Sequence, residues 1–144
     1  MSPKEDFLNA MENWANVYLF RSLSAYFDYV KIAGVSMQQA YALTLIHYNG
    51  PSRISEISEH MMVSAAAASQ MVDRLEKRGL VERTANPGDR RVRNVVLSEA
   101  GGSFVRQSIR ARQSWMKEIP TELSEVQMEQ ISAALALLTR VYQE

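Results

Sequence analysis

The chain has 144 residues, 47% of them apolar, which suits one cored domain or one domain with helical arms. Its 16 basic and 16 acidic side chains cancel, excluding attachment to nucleic acid by bulk charge and leaving only the local distribution to matter. Cysteine is absent, which removes disulfides, thiolate catalysis, thiol redox sensing and cysteine-ligated zinc; with no membrane-length apolar run and no basic-then-apolar leader, a soluble cytoplasmic protein is expected.

The first predicted element opens on Ser2-Pro3-Lys4-Glu5, where Ser as N-cap, Pro at the first helical position and Glu at the third form a capping box. Phe7, Met11, Trp14, Tyr18, Ala25 and Tyr29 recur at helical spacing, flanked by Leu8, Ala15, Leu19, Leu23, Tyr26 and Val30, until Gly34 stops the run. A helix over residues 3–33 is about 45 Å long at about 1.5 Å per residue, more than a small globule can cover. Its wide apolar face points to a partner chain; the alternative is a kinked helix packed wholly within one subunit.

Ser36-Met37-Gln38-Gln39 is a second capping box, opening a helix that runs to about Tyr48 and is stopped by Asn49-Gly50-Pro51. Ser52 is expected to cap a short third helix with Ile54, Ile57 and Met61 along one face. Ser64 caps the fourth, residues 65–78, whose Met71, Val72 and Leu75 face inward and which Gly79 ends. Short helix, tight turn and longer helix is the helix-turn-helix arrangement, in which the second helix reads the major groove.

Two β-prone runs, residues 81–85 and 91–97, flank Asn86-Pro87-Gly88-Asp89. Pro at the second position and Gly at the third predict a type II turn. The hairpin tip then carries Asp89, Arg90 and Arg91, and its arms carry Arg83 and Arg93. From Arg74 to Arg93, seven basic residues face three acidic ones, an excess of four positive charges in an otherwise neutral chain. A helix followed by a basic ribbon has the shape of a winged helix, with the helix for the major groove and the ribbon for the backbone or minor groove. A solvated hairpin that happens to be arginine-rich is the alternative.

Beyond the wing, Ser98 caps a fifth helix that carries Phe104, Val105, Ile109, Trp115 and Met116 until Pro120 interrupts it. Ser124-Glu125-Val126-Gln127 is a third capping box, with Leu123 and Met128 as its hydrophobic staple. Ile131, Ala134, Leu135, Leu138, Val141 and Tyr142 then line one face to the end of the chain, and so apolar a helix has to be buried. The expected fold class is mainly α: a winged helix-turn-helix lobe with a two-stranded β-hairpin wing, and a helical dimerisation region drawn from both termini. Residues 1–34 form the N-terminal dimerisation helix, 35–100 the DNA-binding lobe and 101–144 the C-terminal dimerisation helices.

From about residue 36 to residue 101 the chain resembles the MarR family of bacterial transcriptional regulators. The resemblance rests on the helix opening SMQQ, the run ISEISEHMMVS, the block MVDRLEKRGLVER, and the wing DRR followed by VVLSEAG. It implies a homodimer, held by its first and last helices, that binds pseudo-palindromic double-stranded DNA and is often released by a small phenolic or aromatic ligand. It also maps the wing's Asp and second Arg onto Asp89 and Arg91, with Asp89 orienting the Arg91 guanidinium toward the minor groove. The chain departs from the pattern twice. Met62 stands in the turn where many relatives carry Gly, a strained position if its φ is positive. Ala65-Ala66-Ala67-Ala68 replaces the polar or longer side chains usual in the first half of the reading helix; a methyl touches a thymine methyl but hydrogen-bonds no base edge.

The candidate DNA-binding residues are therefore Ser64, Ala65, Ala66, Ser69, Gln70, Arg74, Asp89, Arg90 and Arg91. Ser64 is engaged as the N-cap, Ala65 and Ala66 sit against thymine methyls, Gln70 is long enough for a bidentate contact to adenine, and Arg74 is placed for phosphate. An A·T-leaning half-site follows.

Other chemistry finds little support. His47 and His60 lack a second ligand at metal spacing, and there is no Gly-rich phosphate loop or nucleophile elbow, so no metal, cofactor, catalytic residue or enzymatic activity is expected. The eight methionines read as core filler rather than redox sensors. Trp14, Tyr18, Tyr26, Tyr41 and Trp115 are candidates to line an aromatic-ligand cavity where the arms meet the lobe, but helical aromatics are more often core, and the ligand residues stay unassigned. The expected function is a sequence-specific, homodimeric DNA-binding repressor released by a small aromatic ligand; the alternative is a winged-helix dimer serving as a protein-interaction scaffold.

Overall fold

Five serines start five of the helices in the computed structural model, which describes residues 2–89 and 91–141. The hydroxyls of Ser2, Ser36, Ser64, Ser98 and Ser124 accept from the backbone N–H three residues on, at 3.0–3.3 Å. At Ser2, Ser36 and Ser124 the side chain of Glu5, Gln39 or Gln127 accepts in return from the serine N–H, completing each box. The elements that result are α1 (Pro3–Ile32), α2 (Met37–Asn49), α3 (Ile54–Met61), α4 (Ala65–Lys77), β1 (Val81–Ala85), β2 (Arg93–Leu97), α5 (Glu99–Gln113), a 3-10 helix (Ser114–Glu122) and α6 (Glu125–Val141). Arg90 and Tyr142, both singled out by the sequence, lie outside the described residues.

One core gathers the inward faces of α2 to α5 with the last third of α1. Leu43, Ile57, Val72, Leu75, Val81, Val95 and Val105 are fully buried in it, joined by Tyr26 and Val30 from α1. Along α4, Ala68, Met71, Val72 and Leu75 follow the spacing of one helical face and are the side chains it buries. β1 and β2 pair antiparallel, with Arg83 opposite Val95. Helix α5 returns directly beneath this ribbon. A Cβ at Gly101 would lie 1.9 Å from the Leu80 carbonyl oxygen, so only glycine allows that approach.

Three sequence expectations are corrected here. Ser52 caps nothing: it forms a β-bridge with Val95, its N–H donating at 3.0 Å and its carbonyl accepting at 2.8 Å, and α3 starts instead from Arg53, whose N–H donates to the Glu56 carboxylate at 2.7 Å. The wing turn is not type II, because Gly88 does not adopt a positive φ. The Asn86 side chain accepts from the Gly88 and Asp89 N–H groups at 2.8 and 3.3 Å, and this side-chain-closed turn wins over the Pro-Gly preference. Residues 91 and 92 accordingly belong to the turn, and β2 begins at Arg93. Trp115 and Met116 lie in the 3-10 helix rather than on α5, which tightens ahead of Pro120. The expectation that α6 is buried concerns a dimerisation region; within the single chain it buries none of its described side chains.

Candidate nucleic-acid interface

Helix α4 presents one face to the core and the opposite face to solvent. Ser64, Ala65, Ala66, Gln70 and Arg74 are exposed on that outer face and Ser69 is half-buried beside them. The Ser64 hydroxyl is taken by the Ala67 N–H at 3.1 Å, so it is the cap and not a free reader. Ala68, grouped with the outer alanines by sequence, is 0% exposed and belongs to the core. Its register with Met71, Val72 and Leu75 was the available signal. The apolar stretch of the outer face is thus shorter than the sequence suggests, and Gln70 follows it after one turn.

Gln70 and Arg74 border a recess of about 120 Å³ between α4 and the first turn of α2, where Gln38 and Gln39 lie. The Arg74 Nε donates to the Gln70 carbonyl at 3.3 Å, which holds the arginine along the helix. Gln38 is a polar neighbour of this face that motif reasoning passed over, because its proximity depends on how α2 crosses α4.

The wing stands beside α4 on a hydrogen-bonded base. The Asn86 Nδ2 donates to the Asn94 Oδ1 at 3.1 Å across the ribbon, and the Asn86 N–H donates to the Val92 carbonyl at 3.0 Å. Within the tip, the Asp89 carboxylate accepts from the backbone N–H of Arg91 at 2.9 Å, and the Asp89 carbonyl accepts from the Val92 N–H at 3.0 Å. Asp89 therefore acts on Arg91 through its main chain; among the described residues it forms no ion pair with the guanidinium. Arg91 is left exposed on a closed, tethered turn.

Besides Arg74, two further cations among the described residues of this segment are engaged by the protein itself. Arg83 on β1 donates to the Asp73 carboxylate at 2.5 Å and to Glu76, both on α4. The Asp73 hydrogen bond, opposed by burial and aided by the two carboxylate charges, drives the Arg83 pKa above its already high value, so the charge is permanent. Arg78, just past α4, donates to the Gly34 and Ala33 carbonyls at 2.6 and 3.2 Å, closing the C-terminal end of α1. Sequence reasoning missed both engagements.

The five candidate aromatics do not form one site. Trp115 meets Trp14 and Tyr18 with ring centroids 6.0 and 6.2 Å apart, beside an open groove of about 600 Å³ that Trp14, Arg21, Trp115, Glu118 and Glu122 help to line. The Trp115 indole N–H points to the Ser22 hydroxyl and the Arg112 carbonyl at 3.2 and 3.0 Å. Tyr26 is buried under the Arg112 guanidinium, 4.3 Å from its ring centroid, and Tyr41 is exposed on α2. Nearby, burial raises the pKa of Tyr29, whose hydroxyl lies 3.3 Å from the Gln107 side-chain oxygen. Among the described residues no group of three or more His, Asp or Glu is placed to hold a metal.

Comparison with known proteins agrees with this architecture. The MarR family model matches residues 35–92. The transcriptional repressor MdtR of Bacillus subtilis is 33% identical over 107 residues, covering 74% of this chain and 69% of that protein. The regulator YsmB of the same organism is 28% identical, and the match spans 59% of this chain and 58% of its own length. Among solved structures, the transcriptional regulator Tm0710 of Thermotoga maritima superposes with a TM-score of 0.81 at 24% identity, covering 94% of this chain and 95% of that one. A MepR mutant of S. aureus bound to an oligodeoxyribonucleotide shares the fold with a TM-score of 0.70 at 16% identity, covering 92% and 96%. Its relatives are transcriptional regulators rather than enzymes, and the chain belongs to the MarR family of DNA-binding transcriptional regulators.

Proposed function

We propose that this chain is a homodimeric repressor that binds a pseudo-palindromic duplex operator and is released by a small aromatic ligand. The observation that carries the reading is a pair of exposed elements joined in sequence: α4, which leaves Gln70 and Arg74 in solvent, and the wing after it, which leaves Arg91 exposed on a tethered turn. In this reading Gln70 contacts adenine, Ala65 and Ala66 meet thymine methyls, Arg74 takes a phosphate, and Arg91, with Arg90, enters the minor groove. Ser64 and Ser69 support the approach of the helix, and Asp89 shapes the tip. Residues 1–34 and 101–144 supply the dimer arms and 35–100 the reading lobe, with α5 the part of the C-terminal segment that also packs into the lobe's core, in a protein that works in the cytoplasm beside its DNA.

The dimer reading is supported by apolar surface. Phe7, Leu8, Val17, Leu19, Phe20 and Leu23 of α1, with Val126, Ile131, Leu135 and Leu137 of α6, are exposed in the single chain, more than an isolated subunit usually leaves in water. For the ligand, the Trp14–Trp115 groove offers aromatic faces to a small aromatic molecule, with Arg21, Glu118 and Glu122 as the charged groups that line it. Such an effector releases DNA only by binding better to a dimer whose reading helices are differently spaced.

Binding-site selection from random duplexes, followed by titration over a range of salt, tests the reading. A half-site rich in A·T should emerge, and affinity should fall steeply with salt as phosphate contacts release counterions. Gln70→Ala should relax preference at one position while leaving the salt slope unchanged, and Arg74→Ala should weaken all sequences and flatten the slope by about one. Selection of no sequence, with no salt slope, would leave the protein-interaction scaffold in its place.

A further inference from the structure

The sequence counts Arg83 among the cations available to DNA, yet its guanidinium spans two carboxylates of the reading helix. Asp73 and Glu76 stand one turn apart on α4, on the side that faces the ribbon, and each receives a different nitrogen of the fork. The Arg83 side chain is 25% exposed, against 49% and 41% for its partners. Its rung is held from the other side as well: Arg83 pairs with Val95, and Val95 exchanges two backbone hydrogen bonds with Ser52. The ribbon is thus fixed to α4 by a charged fork and to the α2–α3 turn by main chain. The tip begins three residues beyond, about 10 Å at about 3.3 Å per residue, so a small rotation at the rung displaces Arg91 along the groove.

We propose that Arg83 is a positioning residue of the DNA-binding surface: it braces the wing against the reading helix and neutralises the helix's two acidic side chains, and it does not contact DNA. Moving the guanidinium to a phosphate would break two charge-assisted hydrogen bonds and leave Asp73 and Glu76 uncovered beside the polyanion. Exposed ion pairs contribute little to stability, so the value of this one lies in the angle it sets. The proposal rests on the DNA-binding reading above and adds a residue to it that the wing motif does not contain.

The test uses the full-length protein, a duplex chosen by site selection and an unrelated duplex, each titrated by fluorescence anisotropy at several salt concentrations. Arg83→Gln should lose at least about tenfold in affinity for the selected duplex, the scale of a lost base contact, while affinity for the unrelated duplex and both salt slopes stay near those of the parent. A direct phosphate contact predicts the opposite: equal losses on both duplexes and slopes lower by about one. The companion variant Asp73→Asn/Glu76→Gln leaves Arg83 in place and removes two negative charges. It should weaken selected-site binding if the brace matters. Stronger binding by this variant would overturn the proposal, and so would an Arg83→Gln protein that selects the parent's site with unchanged affinity. If the parent itself selects no sequence, the DNA reading has failed and the brace falls with it, an outcome told apart from the others before any variant is made.

Discussion

The winged lobe and the helical arms draw on the same kinds of side chain and use them in opposite ways. In the lobe, valines, leucines and isoleucines from α2 to α5 disappear into one core, and even the small Ala40, Ala42 and Ala68 are fully enclosed. In the arms, the first two-thirds of α1 and all the described side chains of α6 leave phenylalanines, leucines and valines in contact with solvent. Helix propensity cannot account for the difference, since both regions are helical. What differs is whether the partner surface lies within the same chain. The lobe is closed by its own sequence, whereas the arms leave apolar surface in solvent that the proposed dimer would bury. The two regions meet at the end of α1, where Tyr26 and Val30 enter the lobe core and Arg78 ties the terminal carbonyls of α1 to α4. The joint between arm and lobe is therefore both packed and hydrogen-bonded.

The comparison is broken most severely by charging the arms. Leu135→Glu with Leu138→Glu should convert the protein from dimer to monomer in sedimentation at micromolar concentration and abolish tight operator binding. Because the lobe buries its own core, that monomer should still unfold cooperatively in urea. A variant that remains dimeric would show that the dimer uses another surface, and one with no folding transition would show that the lobe is not self-sufficient.

Next in size is damage to the lobe. Leu43 is fully buried at the centre of α2, and Leu43→Ala should cost about 2–5 kcal/mol, from lost burial plus the cavity left behind. The same substitution at Leu19, exposed on α1, should alter dimer dissociation and leave the unfolding of the lobe almost unchanged. Equal effects on the lobe transition would erase the distinction between the two regions.

Smaller again are the effects at the wing, where binding should change and folding should not. Arg91→Ala should weaken DNA binding by about 1–3 kcal/mol. Asp89→Ala should weaken it as well, although a negative charge is removed, because the carboxylate holds the Arg91 N–H and so the shape of the tip. Anisotropy titrations decide the sign. Stronger binding by Asp89→Ala would mean that net charge outweighs geometry there.

What the sequence made legible follows the range of the interactions involved. Capping boxes were readable because donor and acceptor lie three residues apart, and the helix-turn-helix and ribbon followed from periodicity and turn residues. Ser52 was misread because its partner, Val95, lies on a distant strand, and any serine ahead of an apolar run resembles a cap. The turn was misread because Asn86 also bonds Asn94 across the ribbon, a contact that exists only once the hairpin has formed. The candidate reading residues were visible as an outward helical face, yet the brace from Arg83 to Asp73 and Glu76 was not. It depends on the angle at which the ribbon leaves α4, which no local spacing encodes.

The smallest expected effect lies in the turn between α3 and α4, and it concerns a single backbone conformation. Three helices of this chain end alike: α1, α3 and α4 each close with a left-handed residue whose N–H bonds three residues back while the next N–H bonds five residues back. At α1 and α4 the left-handed residue is Gly34 or Gly79, with φ of 65° and 69°; at α3 it is Met62, with φ of 52°. A side chain in this region costs about 1–2 kcal/mol through the clash of Cβ with its own carbonyl. Met62 recovers none of that by burial, since it is 91% exposed. Met62→Gly should therefore stabilise the lobe by about 0.5–1 kcal/mol, after allowing for the greater freedom of glycine in the unfolded chain. The urea midpoint should rise with an unchanged slope, and the monomeric arm variant should show the same gain as the dimer. If the gain appears only in the monomer, or the substitution destabilises the dimer, then Met62 is covered by something the single chain does not contain.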